Sequence, residues 1–232
     1  MLKHFITIHL HRHVSKVFLT SLLLLLGAPS TSPIYAQDKP QLKVDLSIAN
    51  RGDEETLEPG YTCWRVKQGK SDTMTENGIT CTLFCTGDAD YDIRTGWSKS
   101  YVQNADNKSK NGRLTFDGIN LDPNTYGTFT LRITGLPIGR HTLQTYHNCW
   151  ENPERFYAAP MVIKCNGKVV HERVDLSFGQ AVAANACLVT TTFDIAQEGD
   201  AVEFEFSTSA DVPGTPSAGQ TNAYMSPLCN GF

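Results

Sequence analysis

Along most of this chain apolar and polar residues alternate one for one, in short runs that stop at Gly, Pro, Asn or Asp. Every second side chain faces the same way only in extended backbone, so the pattern predicts half-buried antiparallel strands. Residues 42–48 set Leu42, Val44, Leu46 and Ile48 on one face. Segments 79–84, 128–133, 142–146, 161–165, 188–194 and 201–206 repeat the pattern with β-branched and aromatic residues. Gly135-Leu136-Pro137-Ile138-Gly139, Asn166-Gly167 and Glu198-Gly199-Asp200 separate them, and Asn166-Gly167 predicts a tight hairpin because both residues tolerate positive φ. Residues 212–220, rich in Pro, Gly and Ser, predict a long loop. No long stretch shows helical spacing and no internal repeat occurs. The fold expected is all-β, one antiparallel jelly-roll β-sandwich with at most one or two short helices.

The first 36 residues read as an address rather than a fold. Lys3, Arg12 and Lys16 form a basic start without acids, an apolar stretch follows around Leu22-Leu23-Leu24-Leu25-Leu26, and Ala36 precedes Gln37. These are the three parts of a secretory signal peptide. The apolar stretch of about ten residues is too short for a membrane span of roughly 20. Residues 1–36 are therefore expected to be cleaved, leaving an exported domain over 37–232 with no membrane span. Cleavage takes away three basic residues and moves the formal charge from −4 to −7. An acidic chain of this kind does not neutralise phosphates, which excludes nucleic acid as a partner.

Seven cysteines stand in the chain, an odd number, so at least one has no intramolecular partner. Cys63, Cys81, Cys165 and Cys187 sit in strand-like runs as small hydrophobes, while one or two disulfides remain open for an exported protein. Cys81-x3-Cys85 lacks a second Cys/His pair at zinc-site spacing. Asp88-x-Asp90-x-Asp92 is similar to the opening of a calcium loop, but Ile93 and Lys99 stand where its Gly and Glu would be. No metal or cofactor is assigned. Nucleophile-elbow, zinc-protease and dinucleotide motifs are all missing, so no catalytic residue is assigned either.

His147-Asn148-Cys149-Trp150-Glu151-Asn152-Pro153 directly follows the strand ending at Tyr146, which places it at one end of the sandwich. An imidazole, amides, an indole and a carboxylate make up the kind of set that holds sugars. Planar donors and acceptors fix hydroxyls while an aromatic face covers the ring. The competing reading is a structured loop in which Trp150 plugs the core. Trp97 with Tyr101, and Tyr61 with Trp64, form two more aromatic pairs that fit either a core or a ligand-facing end. The candidate carbohydrate-binding set is His147, Asn148, Trp150, Glu151, Trp97, Tyr101, Tyr61 and Trp64, with His147 and Trp150 expected in an exposed groove.

Three stretches resemble malectin-like domains. Gly135-Leu136-Pro137-Ile138-Gly139-Arg140-His141-Thr142-Leu143 resembles their turn into a strand, and 161–170, through Asn166-Gly167-Lys168, resembles their hairpin. Residues 193–202 resemble the strand pair that follows. Residues 45–64, 146–153 and Cys229-Asn230-Gly231-Phe232 are similar to an N-terminal module of secreted Bacteroidetes proteins, which often precedes a parallel β-helix of polysaccharide-lyase type. The resemblance implies a galactose-binding-like sandwich that binds a poly- or oligosaccharide without cleaving it. It would work in the periplasm, at the cell surface or outside the cell, beside a downstream catalytic domain. In the similar modules the segment matching 229–232 opens a final strand, so this domain is expected to lack most of that strand. Three other readings stand beside this one. The chain could be the N-terminal part of a polysaccharide lyase, or a small lyase or hydrolase using His147 with Glu151 or Arg155. It could also be a scaffold that binds protein partners.

Overall fold

The computed structural model of the chain describes residues 42–87, 90–97, 113–180 and 183–232. Its strands are β1 (Val44–Ser47), β2 (Thr62–Arg65), β3 (Ser71–Glu76), β4 (Ile79–Thr86), β5 (Asp92–Trp97) and β6 (Asp117–Asp122). They continue as β7 (Thr128–Thr134), β8 (Gly139–Tyr146), β9 (Asn148–Cys149), β10 (Phe156–Ala158) and β11 (Met161–Cys165). The last are β12 (Lys168–Val174), β13 (Ser177–Phe178), β14 (Leu188–Ile195), β15 (Val202–Ser207) and β16 (Asn222–Tyr224). Among the described residues helix is confined to one turn, α1 (Asp53–Thr56), and two short 3-10 segments.

Two layers face each other. One is a six-stranded antiparallel sheet in the order β12-β11-β15-β7-β4-β3. The other assembles β14-β8, β1-β2 and β5-β6 around residues 228–232. The all-β sandwich is as the alternation predicts. In β14 burial alternates strictly, and in β15 Val202, Phe204 and Phe206 point inward while Glu203 and Glu205 do not. Phe129 stacks on Phe206 at 5.1 Å within the six-stranded sheet, and Phe193 of β14 meets Phe204 of β15 edge-on at 5.3 Å, a contact that joins the two layers. Each such large side chain contributes about 1.5–3 kcal/mol by leaving water.

The hairpin at Asn166-Gly167 forms with φ of 48° and 76°, and Asn77-Gly78 makes a second one, with φ of 52° and 81°. Three short pairs, β1-β2, β9-β13 and β10-β16, are parallel, so the fully antiparallel expectation is corrected there. β1 also departs from simple alternation, because all four of its residues are buried. Asp45 sits inside because the Glu58 N–H donates to its carboxylate at 2.7 Å and Ser47 donates at 3.4 Å.

Residues 228–232 run through the middle of the second layer. Val44 and Phe232 exchange both backbone bonds, and Leu46 N–H donates to the Asn230 carbonyl. On the opposite flank Tyr146 N–H donates to the Gly231 carbonyl and Asn230 N–H to that of Tyr146. Cys229 and Ile119 of β6 exchange bonds one residue earlier. A Cβ at Gly231 would lie 2.5 Å from the Val44 carbonyl oxygen, so only glycine lets the three strands close up here. All seven cysteines are free thiols, and burial pushes those of Cys81 and Cys229 up to about 12.

Candidate functional site

The segment after β8 is the core plug. His147 and Asn148 are fully buried and Trp150 is 3% exposed, so the expectation of an exposed groove is overturned. His147 Nδ1 donates to the Leu228 carbonyl at 2.6 Å, and Thr145 donates to Nε2 at 2.8 Å. Both ring nitrogens are therefore spent inside the protein, and burial drives the imidazole down to about 4. It stays neutral and cannot reach a polymer, which removes it as the base of a lyase. Asn148 Nδ2 donates to the Thr115 carbonyl, while its Oδ1 accepts from Ser177 and from Gln180 N–H. With Asn230 these residues stitch β8, β6 and β13 into one satisfied polar knot.

Trp150 packs under β5 because residue 96 is glycine, where a Cβ would lie 2.5 Å from the indole. Its other neighbour is Tyr224, edge-on at 6.2 Å. Glu151 is half-buried, raised by burial with the Arg94 charge working against that rise. Trp64 is 4% exposed and its Nε1 donates to Asp72 at 2.9 Å, so it belongs to the core. Tyr61 lies away from these, half-buried beneath Lys43 at 5.5 Å. Tyr101 and Asp88 fall outside the described residues. Asp92, of the same acidic run, is paired with Lys70 at 3.0 Å, and no cluster of metal ligands occurs among the described residues.

Among the described candidate aromatics, Tyr61 and Trp97 are half-buried rather than buried. Trp97 ends β5 with the Arg51 guanidinium 4.0 Å above one face of its ring. Arg51 reaches Glu55 on α1 at 3.5 Å, and its Nε has no partner among the described residues. Arg65, at the end of β2, donates to the Arg51 carbonyl at 2.9 Å and pairs with Asp53. Two guanidinium forks, two exposed carboxylates and an indole thus meet where β1, β2, β5 and β6 leave the sandwich. Nothing in the sequence alone singles out Arg51, Arg65 or the acidic residues 53–55 between them. The signal there is a pair of arginines on either side of the acidic run, one following the predicted segment 42–48 and the other next to Trp64.

A second concavity, a cleft of about 520 Å³, opens at the other end of β1. Leu42, Lys43 and Tyr61 form one wall, Thr142, Gln144 and Tyr146 the other, and Phe232 closes its inner end.

No protein-family model matches the chain and no curated protein matches it. Two solved structures are similar in shape. A native family 35 carbohydrate binding module from Clostridium thermocellum is 11% identical, with a TM-score of 0.31, covering 71% of this chain and 87% of its own. CBM35 from Paenibacillus barcinonensis is 15% identical, with a TM-score of 0.30, covering 70% of this chain and 95% of its own.

Proposed function

We propose that this chain is a non-catalytic carbohydrate-binding module, malectin-like and galactose-binding-like in kind, exported as part of a polysaccharide-degrading system. It works beside a catalytic domain rather than as an enzyme. The observation that carries the reading is the half-buried Trp97 indole under the Arg51 guanidinium, which is itself linked to Glu55 and, through its carbonyl, to the Arg65–Asp53 pair. An indole face covers the C–H side of a sugar ring, and the forked donors and carboxylate acceptors take its hydroxyls. Burial of His147 speaks against the one alternative that would use it, a small lyase or hydrolase acting in its own right.

The test is a glycan-array screen followed by titration calorimetry on the best ligand. Trp97→Ala should weaken binding by about 1–3 kcal/mol, typical of losing an anchoring aromatic, without unfolding the protein. Equal affinity for wild type and Trp97→Ala, or no glycan bound at all, would sink this reading.

A further inference from the structure

The loop that leaves β1 is held at both of its ends by buried carboxyls. Asp117 Oδ2 accepts from Ile48 N–H at 2.8 Å, where the chain leaves β1. Asp45 Oδ2 accepts from Glu58 N–H at 2.7 Å, where the chain turns back toward β2. Between these two points lie Arg51, which rests on Trp97, and the acids Asp53 and Glu55 that pair with Arg65 and Arg51. Asp117 also stands opposite Trp97 in the β5-β6 ladder, so one residue fixes the indole's strand and the loop that brings Arg51 onto it. Asp45 and Asp117 are fully buried on adjacent strands, and Asp117 Oδ1 has no hydrogen-bond partner among the described residues. A hydroxyl or an amide could accept one N–H at each point without that cost. What distinguishes carboxyls here is that they can change charge.

We propose that Asp45 and Asp117 are positioning residues of the saccharide site, a two-carboxyl clamp that seats residues 48–58 while protonated and releases them on ionising. This rests on the reading of Trp97 as the saccharide site. Asp45 faces Ser47, Glu58, Tyr61 and Asp117, and Asp117 faces Asp45 and Arg65. Asn230 adds only an amide, which donates to the Asp117 carbonyl. The Glu58 carboxylate is itself taken up by the Arg113 and Leu114 N–H groups. Loss of both protons therefore sets two negative charges side by side out of water, with Arg65 as the cation facing them. Burial lifts Asp45 to about 7 and raises Asp117 with it. Arg65 donates to the Arg51 carbonyl at 2.9 Å and pairs with Asp53. Drawn toward the charged pair, it gives up both contacts, and the loop lifts Arg51 off Trp97. Saccharide affinity is thus highest in mild acid and falls as pH climbs through neutral.

The experiment compares wild type with the Asp45→Asn/Asp117→Asn double variant from about pH 6 to about pH 8.5. Asparagine keeps an acceptor oxygen for each N–H and cannot ionise. Hydrogen-exchange protection of the Ile48 and Glu58 amides is followed relative to the Phe204 amide in the other layer, which removes any change in global stability. Affinity for the best glycan of the array is measured by calorimetry in parallel. In wild type both quantities should fall about tenfold across that range, and in the variant both should stay level. Asp45→Asn alone leaves no paired charge, so it should also stay level, and it serves if the double variant does not fold. Level protection in wild type overturns the proposal. So does protection that falls equally in the variant, because other protons would then be responsible. Protection that falls while affinity holds overturns the positioning role. If no glycan binds either protein, the Trp97 reading fails by itself and the protection alone decides the clamp.

Discussion

Asn148 and Asn230 grip each other twice, the Asn148 N–H donating to Asn230 Oδ1 at 2.5 Å and Asn230 Nδ2 donating to the Asn148 carbonyl at 3.0 Å. Asn230 Nδ2 also donates to the Asp117 carbonyl at 2.7 Å, so one side chain ties three segments. Asn230→Ala leaves buried donors and acceptors unmet. It should lower stability in urea unfolding by about 2–4 kcal/mol, the penalty of one or two buried polar groups left unpaired. Asn152→Ala, whose amide caps only an exposed turn at Glu154 N–H, should cost under about 1 kcal/mol.

His147 gives the fold an acid limit. Its folded-state value of about 4 lies below the ordinary 6.5, so the unfolded chain binds the extra proton between those values. That contribution is fully present above 6.5 and is lost as pH falls through about 4, by about 3 kcal/mol.

Asp45 works in the opposite direction. Burial, aided by the nearby Glu58 charge, lifts it to about 7, and the carboxyl of Asp117 beside it is raised too, chiefly by burial. A raised carboxyl favours the folded state below 3.8, and that advantage disappears as pH climbs through about 7. Between pH 4 and 6.5 the slopes of the two raised carboxyls oppose that of His147. Asp45→Asn keeps the acceptor for Glu58 N–H and removes Asp45's share of the opposing slope, while that of Asp117 remains. Its stability should therefore gain on the wild type's as pH rises from 4 to 6.5 and exceed it at pH 8. Chemical denaturation across pH 4–8 decides it, and matching profiles for the two proteins would refute the assignment.

Trp150 and Trp97 should separate cleanly. Trp150→Ala empties a buried site and should cost about 3–5 kcal/mol in stability. Gly96→Ala forces a methyl against the Trp150 ring and should cost about 1–3 kcal/mol by overpacking. Trp97→Ala should stay within about 1 kcal/mol of wild type in thermal or urea unfolding, since its half-buried ring leaves little core to lose.

The strands whose residues face core and solvent in turn were legible from the sequence, β14 and β15 most clearly, because two-sided environments write themselves as alternation. β5 and β6 were not, since Arg94 and Asn120 share the pair with glycines at 96 and 118, and their apolar signal is thin. The segment 147–153 was misplaced for a different reason. A set of amides, imidazole and indole is what a sugar site needs, and equally what a buried polar knot needs. Only partners such as Leu228 and Asn230, distant in the chain, distinguish the two. Arg51 lies on Trp97 and Arg65 reaches the Arg51 carbonyl from three separate segments of the chain, a convergence no local window contains.

The seat of residues 230–232 beside β1 also sets the order in which the molecule can come together. During synthesis β1 is the first described strand to leave the ribosome, yet its flank opposite β2 is satisfied only by the last described residues. Hairpins such as β3-β4 and β11-β12 can zip up locally as they emerge, whereas β1 must wait with its Val44 backbone groups in water or held by a chaperone. Closure over so long a separation is slow compared with local pairing. The sandwich is therefore completed by late capture of residues 228–232, and any nascent chain stalled short of Gly231 would remain an open, binding-prone half.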